Sequence, residues 1–478
     1  MGRSSDDYRR YSSRRCATKG PIGLCLAVLA AIPLFVRADE IASRCTAFVD
    51  VTVVPMDRER ELPHTTVIVR AGRIQSVDPA GQRAIPAGCR TIDGKARYLI
   101  PGLADTHVHF FGYSRGGMND PSAENSVLLM LLGNGITTAL VMEGTPEIVR
   151  LRAELSRGQR LGPRLFTTGP LIQMTGSGIL PGRRAFDTPA QIHAEIIQEK
   201  RIGYDFVKVH GDLTAEAFAE LLKTAREQGL RVVGHVPPNL GIDASLDGGQ
   251  AMIAHAESYL DAYFRFHRAL PTDPAEVERM VREISARTAK SGVWVQPTLS
   301  VFKQISGQVA NIGAVLREPG IQYMPAASMN DWLPANNPYL RRWRTADIPM
   351  LQAQYSIMQR LVRGLRDAGV PMLAGTDDMV PCQLPGFSLE SELKELTIAG
   401  LTPFEALQTA TANAARFLGT NAGQILPGKD ADLVLVNSNP LASSDNAFDQ
   451  AGTMLRGNWY TRKELLSKLP VSTTGNSM

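Results

Sequence analysis

Two histidines stand two residues apart at the end of Ala104–Asp105–Thr106–His107–Val108–His109. Residues two apart on a strand face the same side, so His107 and His109 present two imidazoles to one space. Two neutral imidazoles make half of a transition-metal site. Other apolar runs end in the same way. Lys208 lies in Phe206–Val207–Lys208–Val209–His210, where an unpaired lysine is costly to bury. His235 closes Val232–Val233–Gly234, His255 closes Met252–Ile253–Ala254, and Asp377 follows Met372–Leu373–Ala374–Gly375–Thr376. Each residue alone has an ordinary explanation: a snorkelling lysine, satisfied core histidines, an aspartate that caps a helix. All six at the ends of runs point to a metal centre. His210 adds a polar group two residues beyond Lys208, on the same strand face.

Such residues meet only if a fold brings strand ends together. From Tyr98 onward, strand-like runs alternate with helical ones. Eight runs read as strands: 104–109, 137–142, 164–169, 206–210, 231–235, 252–255, 294–298 and 372–376. Helical stretches include 215–228, 273–291 and 350–368. Eight β-then-α units predict a (β/α)8 TIM-type barrel, whose strand C-termini meet at one mouth. The six residues would converge there from strands 1, 4, 5, 6 and 8. Before the barrel, Thr46–Val53 and Thr65–Arg70 read as strands, with a hairpin turn at Ala71–Gly72–Arg73. After it, Ile425–Val436 and Thr453–Tyr460 read as strands again. The barrel is therefore expected to be inserted in a small β-sandwich built from both ends of the chain. The expected boundaries are 39–98 and 424–470 for the two halves of that domain, 99–423 for the barrel and 471–478 for a disordered tail. Residues 302–347, with Trp332, Pro334, Pro338, Tyr339 and Trp343, read as a partly helical insertion after strand 7, either a lid or a surface decoration.

Residues 1–38 are of another kind. Basic residues (Arg3, Arg9, Arg10, Arg14, Arg15, Lys19) precede an apolar run, Pro21–Val36, too short and too proline-interrupted for a transmembrane helix. Val36–Arg37–Ala38 then offers a cleavage site, so the segment reads as a signal peptide. It carries a net +5 (six Arg and one Lys against Asp6 and Asp7), whereas the whole chain carries +4, which leaves about −1 for the mature chain. The basic balance belongs to the targeting segment and excludes an argument for nucleic acid. The expected destination is periplasmic or secreted, with no stable membrane association after cleavage. Of five cysteines, Cys45, Cys89 and Cys382 remain after cleavage. Cys45 and Cys89 flank strands of the small domain, where a disulfide is expected to be tolerated.

Taken together, PGLADTHVHF, the strand-borne Lys208, Gly234–His235 with Ala254–His255 twenty residues on, and AGTDD at 374–378 resemble the amidohydrolase superfamily. The stretches Leu401–Ala415 and Pro427–Val434 resemble that family's closing helix and return strand, so the resemblance spans about residues 41–465. The nearest groups are the imidazolonepropionase-like and Xaa-Pro dipeptidase-like members. The resemblance implies that His107, His109 and Asp377 bind the more buried metal and that His235 and His255 bind the other. Lys208, carboxylated by CO2, would bridge them. It implies two divalent ions, zinc being the expected one, and Asp377 as the catalytic proton shuttle. Two positions depart from the family pattern: Thr175–Gly176–Ser177–Gly178 and Pro237 stand where many relatives carry substrate-touching histidines or polar aromatics.

The reading that follows is a metal-dependent hydrolase opening an amide or other C–N bond of a small molecule. An Xaa-Pro-type dipeptidase and a lactonase are narrower or neighbouring alternatives, since an activated water attacks any activated carbonyl. A non-catalytic barrel would be expected to lose some of the six residues, and a mononuclear deaminase would have no use for Lys208. Tyr113, Arg115, Tyr259 and Arg265 are candidates for gripping a substrate carboxylate. The sequence does not say whether the chain forms a homo-oligomer.

Overall fold

The computed structural model describes residues 45–112, 118–174, 184–264 and 273–470. Two sheets organise them. The first contains β1 (Cys45–Val53), β2 (Leu62–Arg70), β3 (Arg73–Pro79), β4 (Arg90–Asp93) and β5 (Tyr98–Pro101) from the front of the chain. From the end it takes β13 (Leu433–Val436), β14 (Gln450–Leu455) and β15 (Asn458–Thr461). Its order is β15-β14-β13-β5-β1-β2-β3, with β4 beside β1. The two ends of the chain meet where β13 runs antiparallel to β5, Leu433 opposite Pro101 and Val436 opposite Tyr98. Alternate residues Phe48, Val51, Val53, Val67, Val69, Leu433 and Leu435 build its core. The β2–β3 hairpin turns at Ala71 and Gly72, both at positive φ (50° and 75°), as a two-residue turn between twisted strands requires. Cys45 and Cys89 are joined by a disulfide.

The second sheet is parallel and nearly closed: β6 (Leu103–Val108), β7 (Ile136–Val141), β8 (Arg164–Ile172), β9 (Phe206–Val209), β10 (Arg231–Gly234), β11 (Met252–Ala254) and β12 (Trp294–Gln296), in that order. The chain crosses from the first sheet to this barrel at Gly102, whose N–H donates to Asp432 O. A Cβ there would stand 2.2 Å from Thr137 Oγ1, so only glycine fits the crossing.

Three expectations change in detail. The eighth barrel run is present but is not a regular strand. Its residues bond to both neighbours, Leu373 N to Val295 O and Thr106 N to Ala374 O. The helices that follow take its other ladder groups: Asn413 Nδ2, in helix 412–418, donates to Met372 O, and Ala374 N donates to Thr409 O at the end of helix 403–409. Thr453–Tyr460, read as one strand, is a hairpin, because Arg456 and Gly457 turn at φ 49° and 78°. Ile425–Val436 is extended only from Leu433, after a turn at Pro427–Gly428.

Helices 121–133, 146–156, 189–202, 215–227, 274–291 and 348–367 are among those that follow the barrel strands. Most bury one apolar stripe, such as Phe218, Leu221, Leu222 and Ala225 of the fourth. Residues 299–347 form a helix, Leu299–Val315, kinked at Asn311, followed by short helical turns. Buried Asn337 donates to Gln308 Oε1, and Gln308 donates to Pro381 O, which ties this insertion to the loop after barrel segment eight. No helix among the described residues is long and apolar enough to cross a membrane. The expected signal segment 1–38 and tail 471–478 lie outside the described residues.

Candidate metal centre

All six residues singled out in the sequence line one cavity of about 130 Å³ at the C-terminal ends of the barrel strands. His107 belongs to β6 and His109 follows it; Lys208 is the third residue of β9; His235 and His255 directly follow β10 and β11; Asp377 ends the irregular eighth segment. Asp377 Oδ1 lies 3.0 Å from His107 Nε2 and 3.0 Å from His109 Nε2. One ligand atom from each of these three lies within 4.8 Å of the others. Lys208 Nζ is 3.5 Å from His107 Nε2. The other histidines continue the arc, with ring centroids 4.9 Å apart for His107–His255, 4.6 Å for His235–His255 and 4.5 Å for His210–His235.

Local backbone chemistry sets these positions. His255 and Asp377 sit at positive φ, 67° and 52°, a left-handed backbone that non-glycine residues adopt uncommonly and that turns each side chain off the end of its strand. Gly234, at φ 121°, leaves room for the stem of Lys208: a Cβ there would come 2.4 Å from Val209 O and 2.9 Å from Lys208 Cδ. Asp105 straps β6 to the eighth segment. Its Oδ1 accepts from His107 N and Thr376 N, and its Oδ2 from Thr376 Oγ1. Asp378 Oδ1 accepts from His109 N at 2.6 Å.

Burial dominates the protonation of these groups. Burial, aided by the charge of Lys208, pulls His107 down to about 4, so its imidazole is neutral at physiological pH. Burial likewise holds His235 and His255 well below the usual histidine range. Burial pulls Lys208 down to about 8 against the opposing charges of Asp377 and Glu143. Burial alone would push Asp377 up; the charge that His107 carries when protonated, and hydrogen bonds donated by His107 and His109, would hold its carboxyl well below the ordinary range. A neutral His107 whose Nδ1 carries the proton turns a bare Nε2 toward the Asp377 carboxylate. Two acceptors 3.0 Å apart need a cation to join them. His235 Nδ1 is buried and has no hydrogen-bond partner among the described residues. Imidazole nitrogens and a carboxylate are the donor set of zinc and its neighbours, so the residues fit such an ion.

Several groups at the site went unremarked in the sequence. Glu143, buried two residues past β7, lines the cavity, as do Phe111, Leu171, Met379 and Val380. Tyr339 reaches the cavity from the insertion. His210, marked in the sequence by sharing the strand face of Lys208, lines it as well, with Nδ1 3.3 Å from Gln173 Oε1. Of the proposed carboxylate grips, Tyr259 is fully buried in the main core and does not line the cavity. Its helix turns it inward, and its hydroxyl lies 3.5 Å from Thr288 Oγ1. Tyr113, Arg115 and Arg265 lie outside the described residues, as does Thr175–Gly178. Pro237 does not line the cavity.

Comparison with known proteins follows the same lines. Residues 98–460 match the amidohydrolase family. The chain is 26% identical to an ochratoxinase from Aspergillus niger over 365 residues, 72% of this chain and 71% of that protein. It is 27% identical to an imidazolonepropionase from Ralstonia nicotianae over 396 residues, 78% of this chain and 86% of that protein. Among solved structures, a bottromycin amidohydrolase superposes with a TM-score of 0.70 at 23% identity, covering 91% of this chain and 92% of that one. The last likeness is one of fold.

Proposed function

The chain belongs to the amidohydrolase family, and we propose that it is a metal-dependent hydrolase that cleaves an amide or other carbon–nitrogen bond of a small substrate. The observation that carries this reading is the convergence of His107, His109, Lys208, His235, His255 and Asp377 on one cavity. His107, His109 and Asp377 would hold one divalent ion, zinc being the expected one, and His235 and His255 a second. When bound, such ions supply Lewis acidity to a substrate carbonyl and acidify water.

The protein's own groups do the rest. Lys208, at about 8, is neutral in roughly one molecule in ten at pH 7, against about one in three thousand for an ordinary lysine. A neutral amine attacks CO2: the N–C bond forms, one proton leaves to water, and the carbamate presents two oxygens in place of an ammonium. An ammonium cannot ligate a cation, whereas a carbamate can serve two. Asp377 can accept a proton from the attacking water and deliver it to the departing nitrogen. Apolar walls at Phe111, Leu171, Met379 and Val380 limit competing water and favour a compact substrate.

The test is a hydrolysis screen of the zinc-loaded protein, prepared with bicarbonate, over Xaa-Pro and other dipeptides, N-acyl amino acids, cyclic amides and lactones. Turnover of C–N substrates that is abolished by chelator supports the reading. Turnover of lactones alone favours an esterase-type specificity, and failure to bind any divalent ion refutes the metal-dependent mechanism. The disulfide between Cys45 and Cys89 favours an oxidising compartment, in keeping with export and cleavage after Ala38.

A further inference from the structure

Barrel strand β12 supplies none of the six cavity residues, yet its end touches two of them. Gln296, its last residue, is fully buried, and its Oε1 lies 2.6 Å from His107 Nδ1. Thr298, two residues on and also fully buried, places Oγ1 2.7 Å from His255 Nδ1. His107 and His255 belong to the two different halves of the proposed centre. We infer that Gln296 and Thr298 are positioning residues that turn the Nε2 atoms of His107 and His255 into the cavity, one residue serving each metal. The inference rests on the metal-binding reading above for its consequence, though not for its geometry.

The hydrogen-bond directions at Gln296 are fixed by a chain of partners. Thr106 Oγ1 donates to Ala374 O, whose lone pairs can only accept. Thr106 Oγ1 can then accept from Gln296 Nε2, which also donates to Thr106 O at 2.8 Å. With its amino group so committed, Gln296 presents its carbonyl to His107, and Nδ1 must carry the proton. Nε2 is left as a lone pair facing Asp377 and Lys208. The pocket is shaped for this arrangement, because a Cβ on Gly375 would stand 2.7 Å from the Gln296 carboxamide and 2.8 Å from His107 Cβ.

Thr298 gives an independent sign. It sits at φ 49° and ψ 44°, left-handed backbone that a β-branched residue adopts only under constraint. Glycine or asparagine would occupy that turn with less strain. A threonine there is explained by its hydroxyl, which engages Nδ1 of His255 and leaves Nε2 for the cavity. The turn is held from behind: His255 N donates to Gln296 O, and Ser300 N donates to the buried Glu392 carboxylate. Outer partners of this kind typically change metal affinity 10- to 100-fold when removed.

The experiment pairs two readouts on the full chain. In metal-free protein, 15N spectra of labelled histidine should show His107 as the Nδ1–H tautomer in wild type and lose that signature in Gln296→Met. In chelator-competition titrations with zinc, Thr298→Val should weaken one of two ions about 10- to 100-fold, Gln296→Met should weaken the other, and Thr298→Ser should restore wild-type binding. Thr298→Gly should keep or raise the melting temperature of the metal-free protein while losing zinc affinity. The inference is overturned if Gln296→Met leaves the tautomer unchanged. It is equally overturned if Thr298→Gly melts lower and binds zinc normally, which would assign the threonine to the fold. Wild type that binds no zinc but shows the expected tautomer refutes the metal reading and leaves the orientation of His107 standing.

Discussion

Lys208 should make the metal-free protein less stable than it need be. Its side chain is about 2% exposed and its amine is pulled from 10.5 to about 8, chiefly by burial. That difference corresponds to about 3 kcal/mol of folding free energy. The sign follows from proton linkage. Above pH ~10.5 both states hold a neutral amine and the penalty vanishes. As pH falls from about 10.5 to about 8 the unfolded chain takes up a proton that the folded chain resists, so folded stability declines; below about 8 the full penalty applies. Lys208→Met keeps a long, unbranched side chain along the groove left by Gly234 and removes the amine. It should therefore stabilise the metal-free protein at pH 7 by about 2–3 kcal/mol, roughly 3 °C in melting temperature for a chain of this length. The gain should shrink toward pH 10.5.

The assay is thermal and urea unfolding in chelator and CO2-free buffer, followed across pH 6.5–10.5. The same variant should bind fewer zinc ions than wild type loaded with bicarbonate, and should lose activity. Lys208→Ala should recover part of both with acetate or propionate, which offer the missing oxygen pair. A Lys208→Met protein no more stable than wild type at pH 7, or one that keeps wild-type zinc content and turnover, refutes the reasoning. The lysine would then be a structural residue and the two-ion centre would have to be abandoned.

Asp377→Asn should lower kcat about 10²–10⁴-fold while retaining part of the zinc, read by steady-state kinetics with metal analysis; near-normal turnover would demote Asp377 to a strut. Reducing or substituting the Cys45–Cys89 bridge, which closes a separation of 44 residues, should lower stability by up to about 4 kcal/mol, read by unfolding with and without reductant. Glu199 is fully buried, and both its carboxyl oxygens lack partners among the described residues. Burial raises its pKa well above the ordinary value, so its stability contribution is lost as pH rises above about 4.5. Glu199→Gln should flatten that slope in urea titrations carried upward from pH 4.5. Intact mass of exported protein should correspond to a chain beginning at Asp39; a full-length mass in the membrane fraction would replace the signal peptide with an anchor.

What was legible in the sequence was whatever repeats at strand ends. The parity that pairs His107 with His109, and the apolar runs before Lys208, His235, His255 and Asp377, were enough to bring six residues to one cavity. The eighth barrel segment kept its place although part of its ladder bonds to the helices that follow it, because apolar Met372, Leu373 and Ala374 are still buried. What escaped was chemistry carried by uncharged or solitary residues. Trp294–Val295–Gln296–Pro297–Thr298 has the same two-residue parity as the histidine pair, but glutamine and threonine at a strand end are ordinary, and only the 2.6 and 2.7 Å contacts distinguish them. Tyr259 failed in the opposite direction: an aromatic with a polar tip near His255 is a reasonable substrate grip until helix 256–264 turns it into the core. Lys208 lies between these cases. Its burial could be inferred from Phe206, Val207 and Val209, but the room for its stem depends on Gly234, where a Cβ would come 2.9 Å from Lys208 Cδ. The group proposed to become the carbamate is therefore shaped by a neighbouring strand's missing side chain, and a Cβ at Gly234 would meet first Val209 O, the acceptor of His235 N, and then the stem of Lys208, so that one methyl would disturb both halves of the site.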